Sequence, residues 1–435
     1  MARHLFGTDG VRGLAGEKLT AELAMALGRA ATQQAGATGT RVLVIRDTRE
    51  SGEMLEAALA AGITAAGGEA LLGGVLPTPA APLLIAQYGF DLGVVVSASH
   101  NPFQDNGIKF FGADGLKLTD ATEEAIEARL EAAPSVELEI GRLRELHGTQ
   151  EDYLRALETR FEGLDLGGLK LLLDCANGAT YRVGPEIFRR LGATVTVIGD
   201  QPDGRNINDR VGSTHIEALA AAVLAGGHDL GFAFDGDGDR VLAADRNGVV
   251  VDGDELIALA ALHLRASGRL SGDGVVVTVM TNYGFHTAME AAEIEVATAD
   301  VGDRYVLAEL RERGWTLGGE QSGHIIDMGF VASGDGIASA LLTLEALAGA
   351  DLAERSAMVK LPQRLVNVKV SDKLRALEAV AAAAAEENGA LTGQGRVLVR
   401  ASGTEELVRV MVEAPDAAQC DEICARLVAV VEAAG

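Results

Sequence analysis

Short runs of aliphatic and β-branched residues alternate along this chain with longer stretches whose apolar positions recur every three or four residues. Residues 41–45, 92–96, 169–173, 230–234 and 275–280 are of the first kind, and their near-continuous apolar character predicts buried strands. Residues 22–34, 122–133, 216–225, 254–266 and 335–348 are of the second kind and predict helices. Such alternation marks α/β units with parallel strands. The tail differs. A helix at 373–387, a strand, a polar loop, a strand at 407–413 and a final helix predict a small α+β domain. A chain of 435 residues is too long for one core, and breaks near 150–155, 253 and 363 divide it into 1–153, 154–253, 254–363 and 364–435. The expected fold is three mixed α/β domains plus a small C-terminal α+β domain, arranged around a central cleft.

In four places a strand-like run gives way to a polar, glycine-rich loop, about one per domain. These are Ser97-Ala98-Ser99-His100-Asn101-Pro102, Asp235-Gly236-Asp237-Gly238-Asp239-Arg240, Gly319-Glu320-Gln321-Ser322-Gly323-His324 and Arg400-Ala401-Ser402-Gly403-Thr404. Ligands of α/β sheets sit at the carboxyl ends of strands, so four such loops predict one shared site.

The acidic loop speaks most directly to chemistry. Its three carboxylates alternate with glycines, which in an extended segment puts all three on one side, and hard oxygen ligands select magnesium or calcium. An EF-hand requires glycine at the sixth position and glutamate at the twelfth, where this chain has Arg240 and Arg246. A solvated acidic turn is the plain alternative, but a buried strand rarely ends in such a charge cluster without a cation. In the first loop Ser99 and Ser97 are both candidate nucleophiles, and period-two alternation does not separate them; the turn also reads as a helix cap. A serine needs a base, a metal or a phosphoryl group already in place. Lys109 follows closely enough to return to the same pocket, and to act as a base it needs a lowered pKa. Glu320, Ser322 and His324 suit sugar hydroxyls or an ammonium, although a lone histidine is as readily structural. Arg400, Ser402, Gly403, Thr404 and the downstream Arg409 read as a phosphate cradle, or as a polar turn between strands.

Composition and charge narrow the class. A formal net charge of -26 argues against nonspecific binding to nucleic acid or an anionic membrane, and any anionic substrate must find local cations or metal. Apolar stretches are broken well short of a membrane span. Three cysteines with no metal-ligand spacing predict free thiols and a reducing, cytoplasmic location.

Together the four loops, in this order and over essentially the whole chain, resemble the α-D-phosphohexomutase superfamily. Phe6-Gly-Thr-Asp-Gly-Val-Arg-Gly13, Val301-Gly-Asp-Arg-Tyr-Val306 and Gly319-Glu-Gln-Ser-Gly-His324 are similar to its phosphoglucosamine mutase branch, as are Asp203-Gly-Arg-Asn-Ile-Asn208 and Gly212-Ser-Thr-His215. The resemblance implies interconversion of glucosamine 6-phosphate and glucosamine 1-phosphate, with Ser99 rather than Ser97 as phosphoserine. It places Mg2+ on Asp235, Asp237, Asp239 and the Ser99 phosphate, and gives phosphoryl transfer and proton handling to Arg12, His100 and Lys109. Sugar recognition falls to Glu320, Ser322, His324, Arg240, Asp303 and Arg304, and the fourth loop holds the distal phosphate. Glucosamine or glucose 1,6-bisphosphate is the implied primer, a small-molecule sugar phosphate the partner, and a homodimer the possible assembly. The rival readings are a phosphomannomutase or phosphoglucomutase of the same superfamily and a non-catalytic sugar-phosphate binder. Ile45 before Arg46-Asp47-Thr48-Arg49, Ala401 and Glu406 depart from the family pattern, as does the composition of 327–332.

Overall fold

Every residue of the strand Leu92–Val96 is buried, and its two edges have different partners. It runs parallel to Arg41–Arg46 on one side and antiparallel to Asp105–Gly112 on the other. The same arrangement recurs twice. Leu230–Phe234 lies parallel to Lys170–Asp174 and antiparallel to Val241–Asp245. Leu317–Gly319 lies parallel to Gly274–Thr278 and antiparallel to Ile325–Asp327. Three of the motif loops are therefore hairpin connections rather than strand-to-helix turns. A parallel return needs a crossover of a dozen residues or more, whereas an antiparallel return needs only a short loop. The few residues between Phe234 and Val241, which pair directly, permit only the second.

The computed structural model describes residues 4–7, 9–36, 38–131, 139–402 and 406–435. It comprises two units, Met1–Thr278 with Thr298–Arg355, and Val279–Ala297 with Ser356–Gly435. The first unit contains a seven-stranded and a five-stranded mixed sheet and the strands around Leu317–Gly319. In the second unit Leu407–Glu413 runs antiparallel between Gln363–Lys369 and Arg396–Ala401. Helices Lys373–Ala390 and Ala417–Ala434 cover that sheet around an aliphatic core that includes Val380, Val410, Ile423 and Leu427. This is the expected α+β domain. The helix Tyr283–Ala291 belongs to the same unit: the wholly buried Glu413 accepts from Tyr283 N at 3.0 Å and from Arg396 Nε at 2.8 Å.

Strands at Leu92–Val96, Leu230–Phe234 and Leu407–Glu413 coincide with the apolar runs. The strand expected over 275–280 stops at Thr278, because Asn282 turns to cap the next helix by accepting from Gly284 N. The helix expected over 122–133 is seen as Asp120–Glu131, and residues 132 and 133 lie outside the described set. All three cysteines are free and buried. Among the described residues no helix is long and apolar enough to cross a membrane.

One buried contact ties the helix Thr149–Arg160 to the acidic loop. Asp335 caps the helix Gly336–Leu347 through Ala338 N at 2.9 Å, and Tyr153 Oη donates to both its oxygens at 2.9 and 3.0 Å. The next residue, Gly336, donates from N to Gly238 O at 2.9 Å. Burial pushes the Asp335 carboxyl up to about 6 from the usual 3.8. A carboxyl whose folded value is raised binds its proton more tightly in the native state, so stability falls as pH rises from about 4 to about 6. Asp335→Asn keeps a competent cap without the titration. Thermal melts from pH 4 to 8 are therefore expected to show wild type losing ground to the variant between pH 4 and 6, by up to roughly 3 kcal/mol. A constant difference across that range would remove the ionised Asp335 from the account.

Candidate active site

Three hairpin loops of the first unit meet at the Asp235–Asp239 segment. Its backbone is a turn, closed by Gly238 N on Asp235 O at 3.1 Å, so the carboxylates converge by chain reversal rather than by alternation along an extended segment. One oxygen from each of Asp235, Asp237 and Asp239 lies within 4.8 Å of the others, and all three side chains are buried. Gly236 is required here: a Cβ on it would stand 2.5 Å from Ser99 O.

Ser99 follows the strand Leu92–Val96 in a left-handed conformation, φ 52°. Its Oγ donates to Asp235 Oδ2 at 2.5 Å and lies 3.2 Å from His100 Nδ1. The competing serine has a different task. Ser97 Oγ donates to Asp47 Oδ2 at 2.5 Å and accepts from Ser99 N at 3.0 Å, so it braces the turn from behind. Lys109 returns on the antiparallel strand, opposite Val95, and its Nζ donates to Asp237 Oδ2 at 2.8 Å. Thr78 Oγ1 donates to the same oxygen at 2.7 Å.

Electrostatics sort these groups. Burial alone would lower the Lys109 ammonium, but Asp237, Asp9 and Asp239 outweigh it and raise the group above the ordinary lysine range. Lys109 thus stands as a charged donor, not with the lowered pKa a base needs. Burial likewise works against ionised Asp237, yet Lys109 and Thr78 hold that carboxyl below its usual value. Asp235 is pushed well up by burial and by Asp239 and Asp237; Asp239 is raised by burial and Asp237. His100 is drawn down to about 4 by burial and by Arg240, which leaves its imidazole neutral near pH 7.

The donor set fits a divalent cation. Asp237 Oδ1 and Asp239 Oδ1 are buried without a hydrogen-bond partner, a costly state unless another ligand satisfies them. Around them, Asp9, Asp235, Asp237, Asp239, Asp303 and Glu320 face Arg12, Lys109, Lys117 and Arg240. Six carboxylates against four cations leave two negative charges uncompensated when all are ionised, the charge of one divalent ion.

A cavity of about 460 Å³ opens beside this centre. Arg12, Ser99, His100, Asp239, Arg240, Asp303, Glu320 and His324 line it, so eight of the residues singled out from sequence converge there. His324 Nε2 is 3.9 Å from both Asp239 and Asp303, while its buried Nδ1 has no hydrogen-bond partner. Glu320 is positioned by Gly302 N at 2.7 Å. Two expected sugar contacts do not reach the lining. Ser322 is exposed, with Oγ donating to Glu320 Oε2 at 3.3 Å. Arg304 turns to the helix Asp120–Glu131, where it pairs with Asp120 and Glu123. Sequence reasoning missed Asp9, Lys117 and Thr78. Asp9 bonds Arg12, Lys109 and Lys117, and Lys117 also holds Asp303.

The fourth loop lies in the second unit. Arg400 and Arg409 are directly opposite each other across the antiparallel pair. Lys373, also missed from sequence, donates from Nζ to Ser402 O at 3.3 Å and pairs with Glu406 at 3.2 Å, so the departure at Glu406 is offset locally. Gly403 and Thr404 lie outside the described residues.

Comparison with known proteins agrees with this layout. Residues 3–137, 151–248 and 252–365 match alpha/beta/alpha domains I, II and III of phosphoglucomutase/phosphomannomutase, and residues 365–430 match its C-terminal domain. The chain is 51% identical over 439 residues to the phosphoglucosamine mutase of Moorella thermoacetica, covering 97% of this chain and 98% of that one. It resembles the crystal structure of a phosphoglucomutase/phosphomannomutase family protein from Burkholderia thailandensis, with TM-score 0.85, 26% identity and coverage of 99% and 97%. Its fold is also that of Aspergillus fumigatus N-acetylphosphoglucosamine mutase, solved with GlcNAc-6P and magnesium, with TM-score 0.71, 19% identity and coverage of 99% and 96%. With all four domains present in order, the chain belongs to the phosphoglucomutase/phosphomannomutase family of α-D-phosphohexomutases.

Proposed function

We propose that this enzyme interconverts glucosamine 6-phosphate and glucosamine 1-phosphate, carrying a phosphoryl group on Ser99 and passing through a bisphosphorylated sugar. The observation that carries this reading is the contact of Ser99 Oγ with Asp235 Oδ2 at 2.5 Å inside a buried carboxylate cluster, in a chain whose full-length relative is a phosphoglucosamine mutase. Asp235, Asp237 and Asp239 would hold Mg2+, which neutralises phosphoryl charge when bound.

The remaining work falls to side chains. Arg12 and Arg240 flank Ser99 in the cavity and suit the phosphoryl oxygens. Lys109, fixed as a cation, balances charge from behind. A sugar hydroxyl attacks phosphorus as the Ser99 Oγ–P bond breaks, and the proton lost by that hydroxyl ends on Ser99 Oγ, with the neutral His100 imidazole, Nδ1 3.2 Å from that oxygen, placed to relay it. After the bisphosphorylated sugar reorients, Ser99 Oγ attacks its other phosphorus and the proton bookkeeping reverses. Glu320, Asp303 and His324 suit the sugar, Glu320 and Asp303 as acceptors for its hydroxyl and ammonium groups. Arg400, Ser402 and Arg409, with Gly403 and Thr404, would take the distal phosphate.

The assay is interconversion of the two glucosamine phosphates with Mg2+ and a sugar-bisphosphate primer. Ser99→Ala is expected to lose more than about a thousandfold in kcat, the order lost when a covalent nucleophile is removed. Wild-type activity in the variant would overturn Ser99 as carrier. Faster turnover of glucose or mannose phosphates would change the substrate and leave the mechanism.

The metal is tested separately by melting. Mg2+ at a hundred times its Kd is expected to stabilise wild type by about 2.7 kcal/mol. Asp239→Asn should lose that gain. Without metal it should melt above wild type, because the folded state disfavours an ionised Asp239 beside Asp237. Equal Mg2+ shifts in the two proteins would take the ion off this triad.

A further inference from the structure

Two residues behind the Ser99 turn have no part in the chemistry above, yet they spend nearly all their hydrogen bonds on it. Arg49 is fully buried and paired with Asp47 at 2.8 Å. Its other N–H groups go to backbone carbonyls: Nη1 to Pro102 O and, at 2.9 Å, Asp105 O; Nη2 to Ser99 O and Asn101 O, both at 2.8 Å. From the opposite side Asn208, at the end of the Asp203–Asn208 motif, donates Nδ2 to the same two carbonyls. Those distances are 2.9 Å to Ser99 O and 3.1 Å to Asn101 O. Each carbonyl thus accepts two donors, which is its full capacity.

This bracing answers a mechanical need. Ser99 sits at φ 52°, a conformation that costs a non-glycine residue of order 1 kcal/mol and persists only where its surroundings over-determine it. The metal loop closes the third side, since a Cβ on Gly236 would fall 2.5 Å from Ser99 O and 2.8 Å from Asn208 Nδ2. The serine turn, the acidic turn and the 203–208 loop are therefore packed against one carbonyl. A shift of that carbonyl moves Ser99 Oγ relative to Asp235.

We propose that Asn208 is a positioning residue for phosphoryl transfer: its amide, with Arg49, clamps the carbonyls of Ser99 and Asn101 and so fixes where Ser99 Oγ stands over the carboxylate cluster. The inference rests on Ser99 being the phosphoryl carrier. Serine oxygen leaves phosphorus in one half of the cycle and attacks it in the other, so a single placement must serve both. A displacement near 1 Å costs on the order of a hundredfold in rate.

Two variants separate this role from packing. Asn208 itself has φ 57°, so Asn208→Gly removes the amide without adding backbone strain. Asn208→Asp keeps the shape but turns a carboxylate on two carbonyl oxygens. Both are expected to lose about a hundredfold in kcat per folded enzyme. KM for the sugar phosphate should stay within about threefold, because the cavity lining is untouched. Single-turnover transfer from phosphorylated Ser99 to glucosamine 6-phosphate should slow by the same factor. If Asn208→Asp does not fold, Asn208→Gly decides. A variant that melts lower but keeps wild-type kcat per folded molecule would overturn the clamp as a positioning device. So would a loss carried entirely by KM. Retained activity in Ser99→Ala would instead overturn the carrier assignment, so the two failures are distinguishable.

Discussion

The Asp237 carboxylate uses its two oxygens differently, and much of the site depends on that division. Oδ2 accepts from Lys109 on one strand of the first sheet and from Thr78 in the chain following another, while Thr78 N also bonds the Asp237 carbonyl at 2.8 Å. Through this oxygen the acidic loop is fastened to the sheet that carries Ser99. Oδ1 is buried without a hydrogen-bond partner. Buried ion pairs contribute little net stability compared with apolar packing, but breaking one strands the surviving charge. Here the stranded charge is useful, because a carboxylate held ionised by Lys109 has one oxygen left for a cation. The same pairing explains why Lys109 is a poor base: every carboxylate that makes it necessary also keeps it protonated.

How much of this is readable in the sequence follows from how far each interaction reaches along the chain. The strands at Leu92–Val96 and Leu230–Phe234 are apolar on both faces, a local pattern that survives folding unchanged. The acidic triad is also visible, since its chemistry is written into six consecutive residues, whereas Ser99 was told from Ser97 only by the family resemblance. Asp9 and Lys117 are not. Lys117 pairs with Asp9 and Asp303, 108 and 186 residues away, and nothing in the sequence around a lysine or an aspartate marks such contacts. Thr78 was hidden for the same reason, and so was the contact of Asn208, a motif residue, with the Ser99 turn. Arg304 shows the reverse: the motif drew attention to it, but Asp120 and Glu123 sit closer and hold the guanidinium. The hairpin character of the loops was within reach of the sequence, because each motif is followed by another apolar run within a few residues.

The second unit shows how positive charge can be gathered locally in a chain carrying a large negative charge. Arg400 and Arg409 are brought opposite each other by the strand register. Lys373 adds a third cation from the first turn of a helix that Asp372 caps. Its pairing with Glu406 limits the local excess, and any anion bound there competes with that carboxylate. Glu406, a position where the chain departs from the family pattern, thus brings its own counter-ion.

A phosphoryl carrier faces a constraint that a simple hydrolytic nucleophile does not. The same oxygen must be a leaving group and then an attacking group, with the sugar turned over in between, so its position has to survive large changes in local charge. A phosphate on Ser99 adds nearly two negative charges to a centre that already has more carboxylates than cations. A turn held only by its own backbone would relax under that load. In this fold the turn is braced by Ser97 and Asp47 from its own sheet, by Asn208 from the second, and by the absent side chain of Gly236 in the acidic loop. The contacts that hold the Ser99 turn therefore come from both of the first two domains, and a carrier oxygen in that turn has its position set from outside its own backbone.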